Sequence, residues 1–355
     1  GIGETKQAIK EGYVFIESTA KKLRFIISFS DLGYKCYKIQ VITKPKNSEV
    51  ARTLLSDLSV YAKEHNILKN KKITPALTHL KPSPQYTWDS VILPDKVKKE
   101  IRQNVDLLIS NIEVYKKNNM TFKRGLILKG VPGTGKTLIG KVLCNTINAA
   151  TFIWVTPGDL TEVRKVRSIC EIARGLAPTI LFLEDIDLYG GHRERENRGI
   201  LGELMNQLDG LVENEFVVVI ATTNRSEELE VALRNRPGRF DRLIEVPLPD
   251  ETCRMQMLNL FLSSNSSLEI ENRKKLIGEL VGRTKDFTGA HVKELVNSAI
   301  IEALDSKSLN KKGHIILKRK HFLENIKAVK EKKISVGFSA LSDENRHPTP
   351  LDDDY

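Results

Sequence analysis

The sequence predicts an α/β protein: a parallel-sheet domain followed by a small helical domain and preceded by a small α+β unit. Three observations lead there. From Trp88 to about Pro249, strand-length apolar runs alternate with helical spacing, the pattern of a parallel sheet with crossover helices. Beyond Asp250 the periodicity turns helical through Leu258, Leu276, Leu280 and Leu295. The first 80 residues instead combine β-rich runs with a single amphipathic helix.

Taken in order, residues 23–29 and 36–42 flank Ser30-Asp31-Leu32-Gly33, which suggests a hairpin. Val50, Leu54, Leu58 and Tyr61 follow the turn-forming Pro45 at helical spacing. Pro82 and Pro84 make 81–87 a linker, because two close prolines prevent regular pairing. Strands are expected at 125–129, 151–155, 179–183 and 216–221, and a helix from about Thr161. A short run at 314–317 precedes a last helix near 320–330. The expected organisation is therefore 1–80, the linker 81–87, the sheet domain 88–249, the helical domain 250–330 and an irregular tail 331–355 rich in aspartate and proline.

Composition narrows the function classes. In 355 residues, 40% are hydrophobic and 28% charged, as in soluble globular proteins. The longest apolar runs are strand-sized, so no membrane span is expected. No signal peptide is visible, and a start at Gly1 rather than Met leaves a preceding segment open. Cys36, Cys144, Cys170 and Cys253 have no paired spacing and read as reduced, mostly buried thiols of a cytoplasmic protein. Residues 1–87 carry 15 Lys/Arg against 7 Asp/Glu, so +8 of the net +11 lies there. Such a region suits nucleic acid, an anionic membrane or an acidic partner, or simply a solvated surface. Lys69, Lys71 and Lys72 lack interleaved aromatics, so nucleic acid is only weakly supported.

Three segments carry chemistry. Gly130-Val131-Pro132-Gly133-Thr134-Gly135-Lys136-Thr137, followed by Leu138, joins the 125–129 strand to a helix and matches G-x-x-x-x-G-K-[ST]. Its glycines let backbone N–H groups curl around a triphosphate, and the helix adds its N-terminal dipole. Lys136 is expected on the β- and γ-phosphates of ATP, and the Thr137 hydroxyl on Mg²⁺. The strand at 179–183 delivers Glu184, Asp185, Ile186 and Asp187 to the sheet's carboxyl edge, where carboxylates serve a metal and polarise a water. The strand at 216–221 ends in Thr222-Thr223-Asn224, whose amide suits a γ-phosphate or the lytic water. Arg236 and Arg239 then share a tight loop, and two guanidiniums there imply anions opposite.

Together these residues resemble the classical AAA clade of AAA+ ATPases over about 88–330. The glycine loop is similar to Walker A, residues 180–187 to Walker B, and Asn224 to sensor 1. Residues 217–250 resemble the second region of homology, with Arg236 and Arg239 at its arginine-finger positions. Phe287-Thr288-Gly289-Ala290 resembles the Gly-Ala element of the helical lid, and Trp88-Asp89-Ser90-Val91-Ile92 the segment whose apolar residues flank adenine. The resemblance implies binding by Gly289 and Ala290 and catalysis by Glu184, Asp185, Asn224, Arg236 and Arg239. It also implies a homo-oligomeric ring, usually a hexamer, because arginine fingers act on the neighbour's ATP.

Two departures matter. Glu184 precedes Asp185, the reverse of the usual order, as in the mitochondrial respiratory-complex-assembly AAA proteins; by position Glu184 takes the Mg²⁺ role and Asp185 the catalytic one. The connection Thr156-Pro157-Gly158-Asp159-Leu160 lacks the aromatic pore loop of unfoldases, and Phe152 and Trp154 read as packed strand residues. Tyr189 is an alternative pore residue, with a solvent-facing position the stronger expectation. The leading function is a chaperone-like ATPase that remodels, disassembles or translocates a protein client recruited by residues 1–80. The alternatives are a nucleic-acid-associated ATPase and an ATP-dependent assembly switch with little turnover.

Overall fold

A computed structural model describes residues 12–18, 23–31, 37–81, 83–120, 123–189, 194–209, 216–224, 240, 242–264 and 266–329. The chain divides into two units, Gly1–Lys69 and Asn70–Tyr355. In the first, strands β1 (Gly12–Ser18), β2 (Leu23–Asp31) and β3 (Tyr37–Ile42) form an antiparallel sheet in that order. The hairpin expected from the sequence is the β2–β3 pair, with Ile26 opposite Ile42, and β1 adds a strand not anticipated. Helix α1 (Ser48–Glu64) follows a 3₁₀ turn begun by Pro45. Phe25, Ile27 and Ala51 are buried, whereas Val50, Leu58 and Tyr61 of the anticipated stripe are exposed.

The second unit begins with β4 (Lys72–Ile73), which pairs in parallel with β6 (Thr151–Val155). Residues 70–80, expected with the N-terminal unit, therefore belong to the larger one. Ile73 is fully buried there, and the Lys72 ammonium donates to the Ile147 carbonyl and, at 3.2 Å, to the Asn148 side chain. Helices α2 (Asp95–Asn104), α3 (Asp106–Ser110) and α4 (Ile112–Lys117) lead to β5 (Lys123–Lys129). Then come α5 (Lys136–Thr146), β6, α6 (Val163–Gly175), β7 (Thr179–Leu183), α7 (Glu194–Asp209), β8 (Val217–Thr223) and β9 (Arg242–Glu245). The six strands pair in parallel in the order β4-β6-β7-β8-β5-β9. Residues of β7 and β8 are buried throughout, as expected of central parallel strands covered on both faces. Leu126, Leu128, Phe152, Ile180, Phe182, Val218 and Ile220 pack with Ile139, Val142 and Leu143 of α5. Each such side chain contributes roughly 1.5–3 kcal/mol on burial.

The helical part contains α8 (Glu251–Ser263), α9 (Arg273–Arg283), α10 (Gly289–Asp305) and α11 (residues 319–329). A two-stranded parallel ribbon, β10 (Leu268–Ile270) with β11 (Ile315–Leu317), joins them. Leu258, Leu280, Leu295, Ala299 and Phe322 centre a separate core. Asp250 caps α8 by accepting from the Cys253 N–H at 2.7 Å, and Arg254 ties the hinge by donating to the carbonyls of Pro249 (2.8 Å) and Val281 (3.2 Å). Cys144, Cys170 and Cys253 are buried free thiols, each pushed up to about 11 by burial; Cys36 lies outside the described residues. No helix among the described residues is long and apolar enough to cross a membrane.

Candidate active site

Because all six strands run the same way, their carboxyl ends share one edge, and that edge gathers the three motifs. The glycine loop leaves β5 and enters α5. Gly130 is required by proximity: a Cβ there would lie 2.4 Å from the Val246 carbonyl oxygen, a backbone atom that cannot step aside. Gly133 is required twice, by its φ of 82° and by the lid, since a Cβ would lie 2.8 Å from both the Ala290 Cβ and the Thr288 Oγ1. The Ala290 N–H donates to the Gly133 carbonyl at 3.1 Å, so the first turn of α10 rests on the loop. Thr288 fixes that turn through a capping box with His291. Gly289 and Ala290 thus lie at the loop. Val131, Pro132 and Gly133 are exposed at its crest, and Thr134 closes the turn by donating to the Val131 carbonyl at 3.0 Å.

Lys136 is buried at the base of the loop, where its ammonium donates to the carbonyls of Gly130 (2.6 Å) and Val131 (3.1 Å). Burial lowers its pKa, partly offset by Asp185 and Asp187. Thr137, one residue on, donates to Glu184 Oε1 at 2.7 Å. The Trp154 indole N–H reaches the other oxygen, Oε2, at 3.1 Å. A hydroxyl and a carboxylate meeting beside a phosphate-type loop are hard oxygen donors of the kind Mg²⁺ prefers, so the residues present fit that ion.

Asp185 adopts φ 44°, ψ 62°, which turns the chain sharply after β7. Its N–H donates to Thr222 Oγ1 at 2.8 Å, while the Asn224 amide donates to its Oδ1 at 3.3 Å. The Asn224 N–H in turn donates to Asp187 Oδ1 at 3.2 Å. Burial raises the Asp185 pKa, and the Asp187 and Glu184 carboxylates raise it further against Thr222 and Lys136. Glu184, Asp185 and Asn224 are therefore brought together, and Thr222 and Asp187, present in the motifs but given no individual role there, hold Asp185 and Asn224 in place. Arg236 and Arg239 lie outside the described residues.

A cavity of about 370 Å³ adjoins the loop, lined by Ser90, Val91, Ile92, Leu138, Met257 and Gly289 among others. Ser90, Val91 and Ile92 come from the segment expected beside adenine, and Met257 from the lid. Two expectations need correction. Tyr189 does not face solvent: the 3₁₀ turn Ile186–Leu188 directs Leu188 outward and Tyr189 inward, leaving its ring 1% exposed. Trp154 is not only a packed strand residue, since it is half-buried and bonded to Glu184.

Known proteins resemble this chain. Residues 126–248 match the family model "ATPase family associated with various cellular activities (AAA)". The chain is 31% identical over 312 residues to the proteasome-activating nucleotidase of Saccharolobus solfataricus, covering 83% of this chain and 74% of that protein. It is 35% identical over 229 residues to the proteasome-activating nucleotidase of Thermococcus kodakarensis, covering 61% and 56%. Among solved structures, a FIGL-1 AAA domain in complex with ADP is similar in fold, with a TM-score of 0.57 and 24% identity over 70% of this chain and 86% of that one. With the phosphate loop, acidic strand end and asparagine on one sheet edge, and a relative aligned over most of both chains, this protein belongs to the AAA family of nucleotide-binding ATPases.

Proposed function

We propose that the protein is a ring-forming, Mg²⁺-dependent ATPase that spends hydrolysis on remodelling a protein client. The observation that carries this reading is the bond from Ala290 N–H to the Gly133 carbonyl. The loop that would hold the phosphates is joined to the lid, so a change in nucleotide shifts a whole helical layer. Proteins named proteasome-activating nucleotidases, similar over most of this chain, support a client that is itself protein, and the assignment of Arg236 and Arg239 to a neighbour's ATP supports a ring.

In the proposed reaction, backbone N–H groups of 130–137 and the Lys136 ammonium hold the β- and γ-phosphates. Lys136 already points into the loop and exchanges its carbonyl partners for phosphate oxygens. Thr137 and Glu184 would hold Mg²⁺, which supplies charge neutralisation on the phosphates. Asp185 and Asn224 orient a water in line with the γ-phosphorus, and Asp185, its pKa raised, accepts a proton as the bond to the β-phosphate oxygen breaks. ADP and phosphate leave. Arg236 and Arg239 are assigned to the neighbouring subunit's ATP, which makes a lone subunit incomplete.

The turn at Pro157–Asp159 bears on how the client is moved. It is closed by a Thr156–Asp159 capping box with Leu160 buried behind it. A short capped turn without an aromatic side chain is not a threading paddle, so the proposed work is displacement or disassembly by lid and ring motion.

Steady-state hydrolysis at rising protein concentration tests the reading. Specific activity is expected to increase with concentration, Lys136→Ala to lower it by about 10²–10³-fold, and an unfolded protein to stimulate it. Stimulation by DNA or RNA that vanishes with salt would favour a nucleic-acid client instead. Nucleotide-dependent assembly without turnover would make the protein a switch.

A further inference from the structure

Trp154 on β6 lies directly opposite Phe182 on β7. Opposed residues share one face of a sheet, and Glu184, two residues beyond Phe182, shares it as well. The Glu184 N–H donates to the Val155 carbonyl at 2.9 Å, so the end of β7 is still pinned to β6 there. A diagonal neighbour is within reach of a side chain as long as an indole. The indole packs on the Phe182 ring with centroids 4.6 Å apart and lies 6.2 Å from the Phe152 ring, which itself lies 6.0 Å from Phe182. This aromatic trio sets the ring's orientation and aims its N–H at Glu184 Oε2.

The geometry points to Trp154 as a positioning residue for Glu184, the carboxylate assigned to Mg²⁺. An indole nitrogen only donates, so it holds the ionised carboxylate and does not compete for the cation. Thr137 and Trp154 fix one oxygen each. When the Thr137 hydroxyl turns to another partner, the Trp154 indole still keeps the carboxylate from swinging away from the loop. The reversed acidic order fits this arrangement. Aspartate at 184 would be one carbon–carbon bond short of the indole, whereas glutamate spans the distance. Glu184 and Trp154 thus form one device, in which the longer carboxylate stands first because an indole is there to hold it. The inference rests on the reading of this loop as an Mg²⁺·ATP site.

Trp154→Phe keeps a ring on Phe182 and deletes the donor. Binding of a fluorescent ATP analogue is measured with and without Mg²⁺ for the wild type, Trp154→Phe, Glu184→Asp and the double variant. Trp154→Phe is expected to bind normally in EDTA but to need about tenfold more Mg²⁺ for half its effect. In the Glu184→Asp background, where the bond is already lost, the same change should have little further effect. An unaltered Mg²⁺ dependence, an equal loss with and without Mg²⁺, or additive effects in the double variant would each overturn the assignment. A wild type whose binding ignores Mg²⁺ would overturn the underlying reading as well. Should Trp154→Phe not fold, the full chain labelled with ¹⁵N-tryptophan serves, since it has two tryptophans, Trp88 and Trp154. Glu184→Asp must then shift one indole N–H resonance, and two unmoved resonances sink the proposal.

Discussion

Asp185 shows how much of the chemistry rests on single residues. Its left-handed backbone costs about 1–2 kcal/mol for an ordinary side chain, and aspartate is among the few non-glycine residues that tolerate it. The turn that imposes this conformation puts the Asp185 side chain against Thr222 and Asn224 at the tip of β8. Asparagine tolerates the same backbone, so Asp185→Asn removes the proposed base with little strain. Its kcat is expected to fall about 100-fold with ATP affinity retained, read from steady-state kinetics and equilibrium binding of a nucleotide analogue. Hydrolysis at the wild-type rate would reassign the base. The positions of Lys136, Thr137, Glu184 and Asp185 were legible in the sequence because each belongs to a contiguous run that follows directly on a strand. The Trp154 bond was not, because it spans two strands whose adjacency no local pattern encodes.

At the scale of elements, the lid is braced by a charge cluster between α9 and α11. Arg319 clasps Glu279 through bonds of 2.7 and 2.5 Å, and Arg283 adds one of 2.8 Å. Arg319 first, and Arg283 with it, holds the Glu279 carboxyl down to about 2, below its ordinary 4.5. A carboxylate with a depressed folded pKa stabilises above its unfolded value and loses that contribution as pH falls through the folded one. The Glu279 contribution is therefore present above pH 4.5 and lost between there and pH 2. Glu279→Gln is expected to flatten the fall in unfolding midpoint across that window, and added salt to shrink the difference because both arginines are half-exposed. A wild-type slope in the variant would show that the cluster contributes nothing. The helical periodicity of this region was readable from Leu258, Leu276, Leu280 and Leu295, all of them buried. The β1 strand and β9 were not anticipated: each is short or alternates weakly, and pairing with a neighbour defines it.

For the whole molecule, the assignment of Arg236 and Arg239 to a neighbour's ATP makes the ring the active unit. Lys136→Ala and Arg239→Ala proteins are each expected to be nearly inactive, the second while still binding ATP. Mixed in equal amounts they should regain activity, because an Arg239→Ala subunit beside a Lys136→Ala subunit has an intact loop and an intact arginine opposite it. Random mixing gives such pairs at roughly a quarter of interfaces in a closed cyclic ring. No recovery on mixing would place the arginines in the subunit's own site.

Contiguous patterns in the chain determined the strand–loop–helix assigned to phosphate, the acidic strand end and the change to a helical layer after Asp250. Each depends on neighbours a few residues apart, where backbone geometry follows directly from residue type and spacing. Packing settled the rest. Which strands lie side by side determined that an indole at 154 would hold a carboxylate at 184, and that Lys72 and Ile73 would edge the large sheet. The lid's docking determined that Gly133 must lack a Cβ, because the obstacle is Ala290, 157 residues away in sequence, whose Cβ would lie 2.8 Å from one added there. Periodicity marks the face a residue presents; the partner on that face is chosen only when distant segments compete for the same core.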